Sequence, residues 1–181
     1  MFEEIITDRL ALRDLEPSDG PRVFAYHKHP EVSRFQSWGT ESVDAVQTYI
    51  RSLSAVNPEA CAGWYQIGIF LTNGGKLIGD CGFRPLASSL EQAEVGITVA
   101  PEYQGQGYAA EALRALLRFL FATLNKHRVF GSVDPRNLSS MRLLERVGMR
   151  QEAHFVKSLW FRGEWVDDVI FAILADEWKA T

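Results

Sequence analysis

The 181-residue sequence has few cysteines, no long apolar run and no surplus of positive charge. Its two cysteines, Cys61 and Cys81, form no CxxC pair. That excludes the common dithiol redox motif and a disulfide-built scaffold, so both read as reduced thiols. The most apolar helical stretch, ALRALLRFLFATL, is interrupted by Arg114 and Arg118, and no membrane span or membrane partner is expected. The amino terminus, MFEEIITDRL, is acidic and lacks an apolar core. It is not a signal peptide, and a cytoplasmic location is expected. A net charge of −4 makes nucleic acid a poor main partner and leaves a cationic substrate compatible. No lysine-containing GxxxxGK[ST] loop is present, which excludes ordinary nucleotide hydrolysis. His27 and His29 have no accompanying cysteine or carboxylate pattern, so no metal is expected and the pair reads as a surface helix end.

What is present is ordinary globular material, 46% hydrophobic and 23% charged. No repeat, low-complexity tract or linker divides it, so residues 1–181 are expected to form one domain. "IITDRLALRDL" alternates as a first strand, and "PSDGPRVFAYHKHP" reads as a short helix and a loop. Thr40 can cap a second helix with Val43, Val46, Ile50 and Leu53 on one face. Two runs around Asn73-Gly74-Gly75 form a hairpin, and "AEVGITV" is a fourth strand. Residues 108–124 are expected as one long amphipathic helix, from the spacing of Leu113, Leu116, Leu117, Leu120 and Leu124. "RVFGSV", a helix over 138–147 capped by Asn137 and stopped by Gly148, and a hairpin turning at Arg162-Gly163-Glu164 complete the chain. The fold class is α/β (mixed α+β), a central mixed seven-stranded sheet with helices on both faces. Trp38, Trp64, Trp160 and Trp165 are expected in the core or in a cleft wall.

The informative segment is Tyr103-Gln104-Gly105-Gln106-Gly107-Tyr108-Ala109-Ala110, between a strand and a helix. Glycine inside a helix costs about 1 kcal/mol against alanine, so these two need a reason. The first turn of a helix presents unpaired amides and a positive dipole end, and glycines let a pyrophosphate approach the backbone. The same residues match the dinucleotide fingerprint GxGxx[GA]. That fingerprint places its first glycine at the end of a strand, however, whereas Ala100 to Gln104 intervene here. Gln104 to Ala109 also match [QR]xxGx[GA] residue for residue. On that motif the chain resembles the GNAT superfamily of acetyl-CoA-dependent N-acetyltransferases. The order of elements, Asn137-Leu138-Ser139-Ser140 and "LLERVGM" extend the resemblance over nearly the whole chain. "TDRLALRDLEPSD" and "RGEWVDDVIFAILADEW" are similar to the Rim-type branch, named for acetylation of ribosomal-protein N-termini.

The resemblance implies a GNAT-like fold, acetyl-CoA as cosubstrate and a primary amine as acceptor, either a protein N-terminus or a small amine. It implies that the loop from Gln104 through Gly105, Gln106, Gly107, Tyr108 and Ala109 holds the pyrophosphate. It places pantetheine and the thioester on the backbone of Ile97, Thr98 and Val99, with Asn137 on the pantetheine arm. Ser140 is assigned to the coenzyme sulfur, because the position where many members carry tyrosine is Leu144 here. Strand alternation puts Glu94 opposite Val95, Ile97 and Val99, and Glu94 is the expected general base. One or two of Arg128, Arg136, Arg142, Arg146 and Arg150 are weighed as contacts to the 3′-phosphate. Phe35-Gln36-Ser37-Trp38 and the last hairpin are expected to wall the acceptor site. The sequence leaves room for a homodimer, and for a rival reading as an acetyl-CoA sensor that does not turn over.

Overall fold

The computed structural model describes residues 2–36, 41–53, 56–58 and 63–178. Ser37, Trp38, Thr40 and Cys61 lie outside the described residues. The elements run β1 (Ile5–Ile6), β2 (Leu10–Asp14), α1 (Gly20–Lys28), α2 (Pro30–Ser33), α3 (Val43–Leu53), β3 (Tyr65–Leu71), β4 (Leu77–Leu86) and β5 (Ser89–Val99). They continue with α4 (Tyr108–Arg118), β6 (Arg128–Val133), α5 (Leu138–Arg146), β7 (Arg150–Phe161) and β8 (Glu164–Leu174).

Among the described residues eight strands form one mixed sheet in the order β1-β2-β3-β4-β5-β6-β8-β7, one more than expected. The expected first strand divides because Thr7 folds it back. The Thr7 amide donates to the Leu10 carbonyl at 2.8 Å, and the Leu10 amide donates to Thr7 Oγ1 at 3.0 Å. β1 and β2 then pair as a small hairpin. The helix expected over 108–124 keeps α-helical geometry only to Arg118; Phe119–Thr123 is a π-helical turn. A fifth short helix, α2, follows where Pro30 starts a new turn after His29 has gone extended.

Alternation along the strands separates two layers. Ile67, Ile69, Cys81, Phe83, Val95 and Ile97 pack with α4, whose Leu113, Leu116 and Leu117 are fully buried. Phe70 and Leu77 pack on the other face with Val23 and Tyr26 of α1 and Val46 and Ile50 of α3. Burying one fully enclosed leucine or isoleucine contributes about 1.5–3 kcal/mol, so these paired stripes hold both helix layers to the sheet.

One register detail positions the site. β5 pairs with β4 at Ser89 and from Ala93 to Val99 but with β6 only at Gln92, Ala93 and Glu94. This is the only parallel pairing among the described strands. Beyond Glu94 the two strands part, and the β6 side of Val95–Val99 carries no ladder.

Candidate active site

The gap between β5 and β6 opens into a cavity of about 790 Å³. Its floor is the sheet face carrying Glu94, Gly96 and Thr98 on β5, and Asp80 on β4. Gly82 and Gly96 face each other across the β4–β5 ladder. Neither has a side chain to fill the space, and Trp64 lies across Gly96 instead. One wall carries Asn137, Ser140 and Leu144 from α5 and the turn before it. Phe35, Gln36, Leu159 and Phe161 line the other side.

The glycine loop lies at one end of the splayed strand. Gly105 and Gly107 adopt left-handed backbone, with φ of +74° and +85°. The amides of Gly105 through Ala109 have no acceptor among the described residues. Such a run of free donors at a helix start fits a phosphate. The two glutamine side chains turn inward: Gln104 Nε2 donates to the Val99 carbonyl at 2.8 Å, and Gln106 Nε2 donates to the Glu102 carbonyl at 3.0 Å. They shape the loop and leave those backbone amides unengaged.

A brace that local sequence does not reveal holds this loop from outside. Glu111, in the first turn of α4, accepts from Thr7 Oγ1 at 2.6 Å, from the Arg9 amide at 2.9 Å and from Arg9 Nε at 2.7 Å. Arg9 Nη1 also donates to the Gln106 carbonyl at 3.0 Å, and its guanidinium lies over the Tyr108 ring at 4.5 Å. Burial works to raise the Glu111 carboxyl. The hydrogen bonds from Thr7 and Arg9 outweigh it and hold the group below the usual carboxylate range.

Asn137 caps α5, its Oδ1 accepting from the Ser140 amide at 3.1 Å. Ser140 lines the cavity one turn before Leu144, which is buried. Glu94 also lines the cavity, on the face opposite Val95 and Ile97 as expected. One of its oxygens is engaged by the Arg84 guanidinium. Of the five arginines, Arg128, Arg136 and Arg150 are ion-paired within the protein. Arg142 and Arg146 are exposed and form no ion pair among the described residues.

Two expectations are corrected here. His27 is not at a surface; it is 4% exposed and its Nε2 lies 2.7 Å from Asp80 Oδ2. Helix periodicity puts it on the inner side of α1 near Val23 and Tyr26. Trp160 and Trp165 are not core: each is 57% exposed, and they stack edge-to-face on the outer face of the β7–β8 hairpin. They pair across an edge hairpin whose β7 strand has no further neighbour among the described strands. Asp80 was missed altogether. Its one local signal is a charge in the middle of the apolar run "KLIGDCGF".

A mixed sheet splayed at the one parallel pair among its described strands, with a run of free amides at the end of the gap, fits a coenzyme A-dependent acyltransferase. Comparison with known proteins agrees. Residues 9–150 match the family model described as "Acetyltransferase (GNAT) domain". "Uncharacterized N-acetyltransferase YnaD" of Bacillus subtilis is 30% identical over 175 residues, covering 97% of this chain and 99% of that relative. The "[Ribosomal protein uS5]-alanine N-acetyltransferase" of Escherichia coli is 26% identical, covering 96% of this chain and 92% of its own length. A solved GNAT-family acetyltransferase from Bacillus anthracis superposes with a TM-score of 0.85 at 26% identity, covering 96% of this chain and 99% of that one. The chain belongs to the GNAT acetyltransferase family and is an acetyl-CoA-dependent N-acetyltransferase. No helix among the described residues is long and apolar enough to cross a membrane.

Proposed function

We propose that the protein transfers acetyl directly from acetyl-CoA to a primary amine while both substrates are bound. The observation that carries this is the single cavity shared by the splayed β5 edge and a separate polar, aromatic acceptor side. Direct attack needs both reactants held in one space, and such positioning supplies much of the rate.

The loop amides of Gly105 through Ala109 receive the pyrophosphate. The free edge of β5 at Ile97, Thr98 and Val99 receives pantetheine and the thioester, with amide donors for the carbonyl oxygen as it gains charge. Asn137 uses its oxygen as the helix cap and keeps its amide nitrogen for the pantetheine arm. Ser140 is the hydroxyl on the wall where the thiolate departs. A thiol of pKa about 8.5 leaves readily, so one hydrogen bond there suffices despite Leu144. The acceptor is an alkyl amine, either a peptide N-terminus or a small molecule.

Thiol release from acetyl-CoA, measured against a panel of alanine-initiated peptides, aminoglycosides and polyamines, tests the reading. Release that depends on one class of amine supports it. Tight coenzyme binding with no amine-dependent release favours the sensor reading, for which apolar Leu144 is the supporting residue.

A further inference from the structure

The described structure contains a buried polar cluster for which the loop, the β5 edge and Ser140 have no use. Asp80 is fully buried in the middle of β4. Tyr26 Oη donates to its Oδ2 at 2.5 Å, His27 Nε2 lies 2.7 Å from the same oxygen, and the Gln66 side-chain amide donates to Oδ1. Tyr26 and Gln66 are neutral donors, and none of the described residues lining the cavity beside Asp80 is a lysine or arginine. A buried carboxylate held by two neutral donors and one imidazole is costly, and a cation brought beside it relieves that cost.

Its position is specific. Asp80 is the direct β4 partner of Thr98 on β5. Side chains at such a pair share one face with Cβ atoms about 4.5–5.5 Å apart. The carboxylate therefore stands beside the strand residue assigned to the thioester. Gln36 Nε2 donates to Thr98 Oγ1 at 2.9 Å and closes the same corner. Glu94 lies two pairs away across the Gly82–Gly96 gap, with an oxygen taken by Arg84.

From this geometry we infer that Asp80, not Glu94, receives the acceptor's ammonium group and takes a proton from it. The inference rests on the transferase reading above. The ammonium gives one proton to the Asp80 carboxylate and becomes a neutral amine. Its lone pair attacks the thioester carbonyl, the C–N bond forms and the C–S bond breaks. The second nitrogen proton leaves with the thiolate as coenzyme thiol, and the Asp80 proton passes to water in the cavity. Tyr26, His27 and Gln66 are positioning residues. The ionisable groups facing Asp80 are Tyr26 and His27 from α1; the chain-adjacent Cys81 points to the other face of the sheet, toward α4. Burial and the neighbouring Asp80 charge push both the Tyr26 hydroxyl and the Cys81 thiol up, so both stay protonated.

The test compares Asp80→Asn, Tyr26→Phe and Glu94→Gln by thiol release with the best acceptor of the amine panel. Asp80→Asn should lower kcat by about 10²–10⁴-fold with coenzyme affinity unchanged. Its deficit should narrow as the pH rises toward the acceptor's own pKa, about 8 for a peptide α-amine and about 10 for an alkyl amine, where the amine sheds its proton to solvent unaided. Tyr26→Phe should show a smaller loss with the same narrowing, and Glu94→Gln a smaller loss than Asp80→Asn. A deficit that ignores pH marks a structural role and overturns the inference, as does Asp80→Asn turning over like the wild type.

A second measurement needs no turnover. Propylammonium added at millimolar levels should shift the His27 ring resonances of the wild type but not of Asp80→Asn. Absence of that shift overturns the inference even where transfer is observed. A wild type that binds acetyl-CoA yet releases no thiol with any amine overturns the transferase reading, and the propylammonium result then decides the amine site by itself.

Discussion

Gly107 is where local backbone and ligand binding can be separated by experiment. Its φ is +85°, and a Cβ added there would meet only the end of the Arg9 side chain at 3.3 Å. Gly107→Ala therefore mainly tests the left-handed backbone, which costs an L-residue about 1–2 kcal/mol. For a chain of this size 1 kcal/mol corresponds to roughly 2–4 °C in Tm, so a fall of about 2–8 °C is expected. Gly105→Ala is the companion: its φ is +74° and nothing lies within 4 Å of the added Cβ, so its loss is strain alone. Gly107→Arg adds a long side chain across the free amides, beside the Arg9 guanidinium. Coenzyme A at a hundredfold excess over Kd stabilises a binding-competent protein by about 2.7 kcal/mol. That gain should be present in the wild type and absent in Gly107→Arg. Scanning fluorimetry with and without coenzyme A reads both effects. Alanine variants that melt with the wild type would refute the backbone argument. A full coenzyme shift in Gly107→Arg would refute the placement of the pyrophosphate.

Glu111→Gln removes the charged acceptor of the Thr7 and Arg9 bonds and should cost about 1–2 kcal/mol in urea unfolding near neutral pH. Because the folded Glu111 carboxyl is held below its usual value, its contribution is present above about pH 4.3 and fades as pH falls through the lower folded value. The gap between wild type and variant should therefore close in acid; a gap that stays constant would refute the charge-based brace. Gly79→Ala places a Cβ 2.2 Å from the Thr98 carbonyl oxygen, which is backbone and cannot step aside. A loss of about 1–3 kcal/mol, with weakened coenzyme binding, is expected by denaturant titration, and an unchanged midpoint would contradict the close β4–β5 approach. Cys81 is fully buried and its thiol is pushed up by that burial, then by the Asp80 charge. Iodoacetamide with peptide mass mapping should label Cys81 only after unfolding; native labelling would show that the α4 layer opens from the sheet.

The two left-handed glycines, the Asn137 cap and the leucine stripe of α4 were legible because each is a local rule of spacing and backbone freedom. The extra strand was lost to a side-chain turn at Thr7 that leaves no break in the alternation of "IITDRLALRDL". The π-helical end of α4 kept the leucine spacing and so carried no separate signal.

The sequence by itself determined most of the order of elements and the backbone character of the loop, since a glycine's permitted φ and a helix's free amides depend only on near neighbours. The tertiary structure alone decided where β5 and β6 part, that Arg9 reaches Glu111 across 102 positions, and that His27 meets Asp80 across 53. Strand register and helix docking set those meetings. They arise from burial summed over the whole sheet, which no local spacing in the chain encodes.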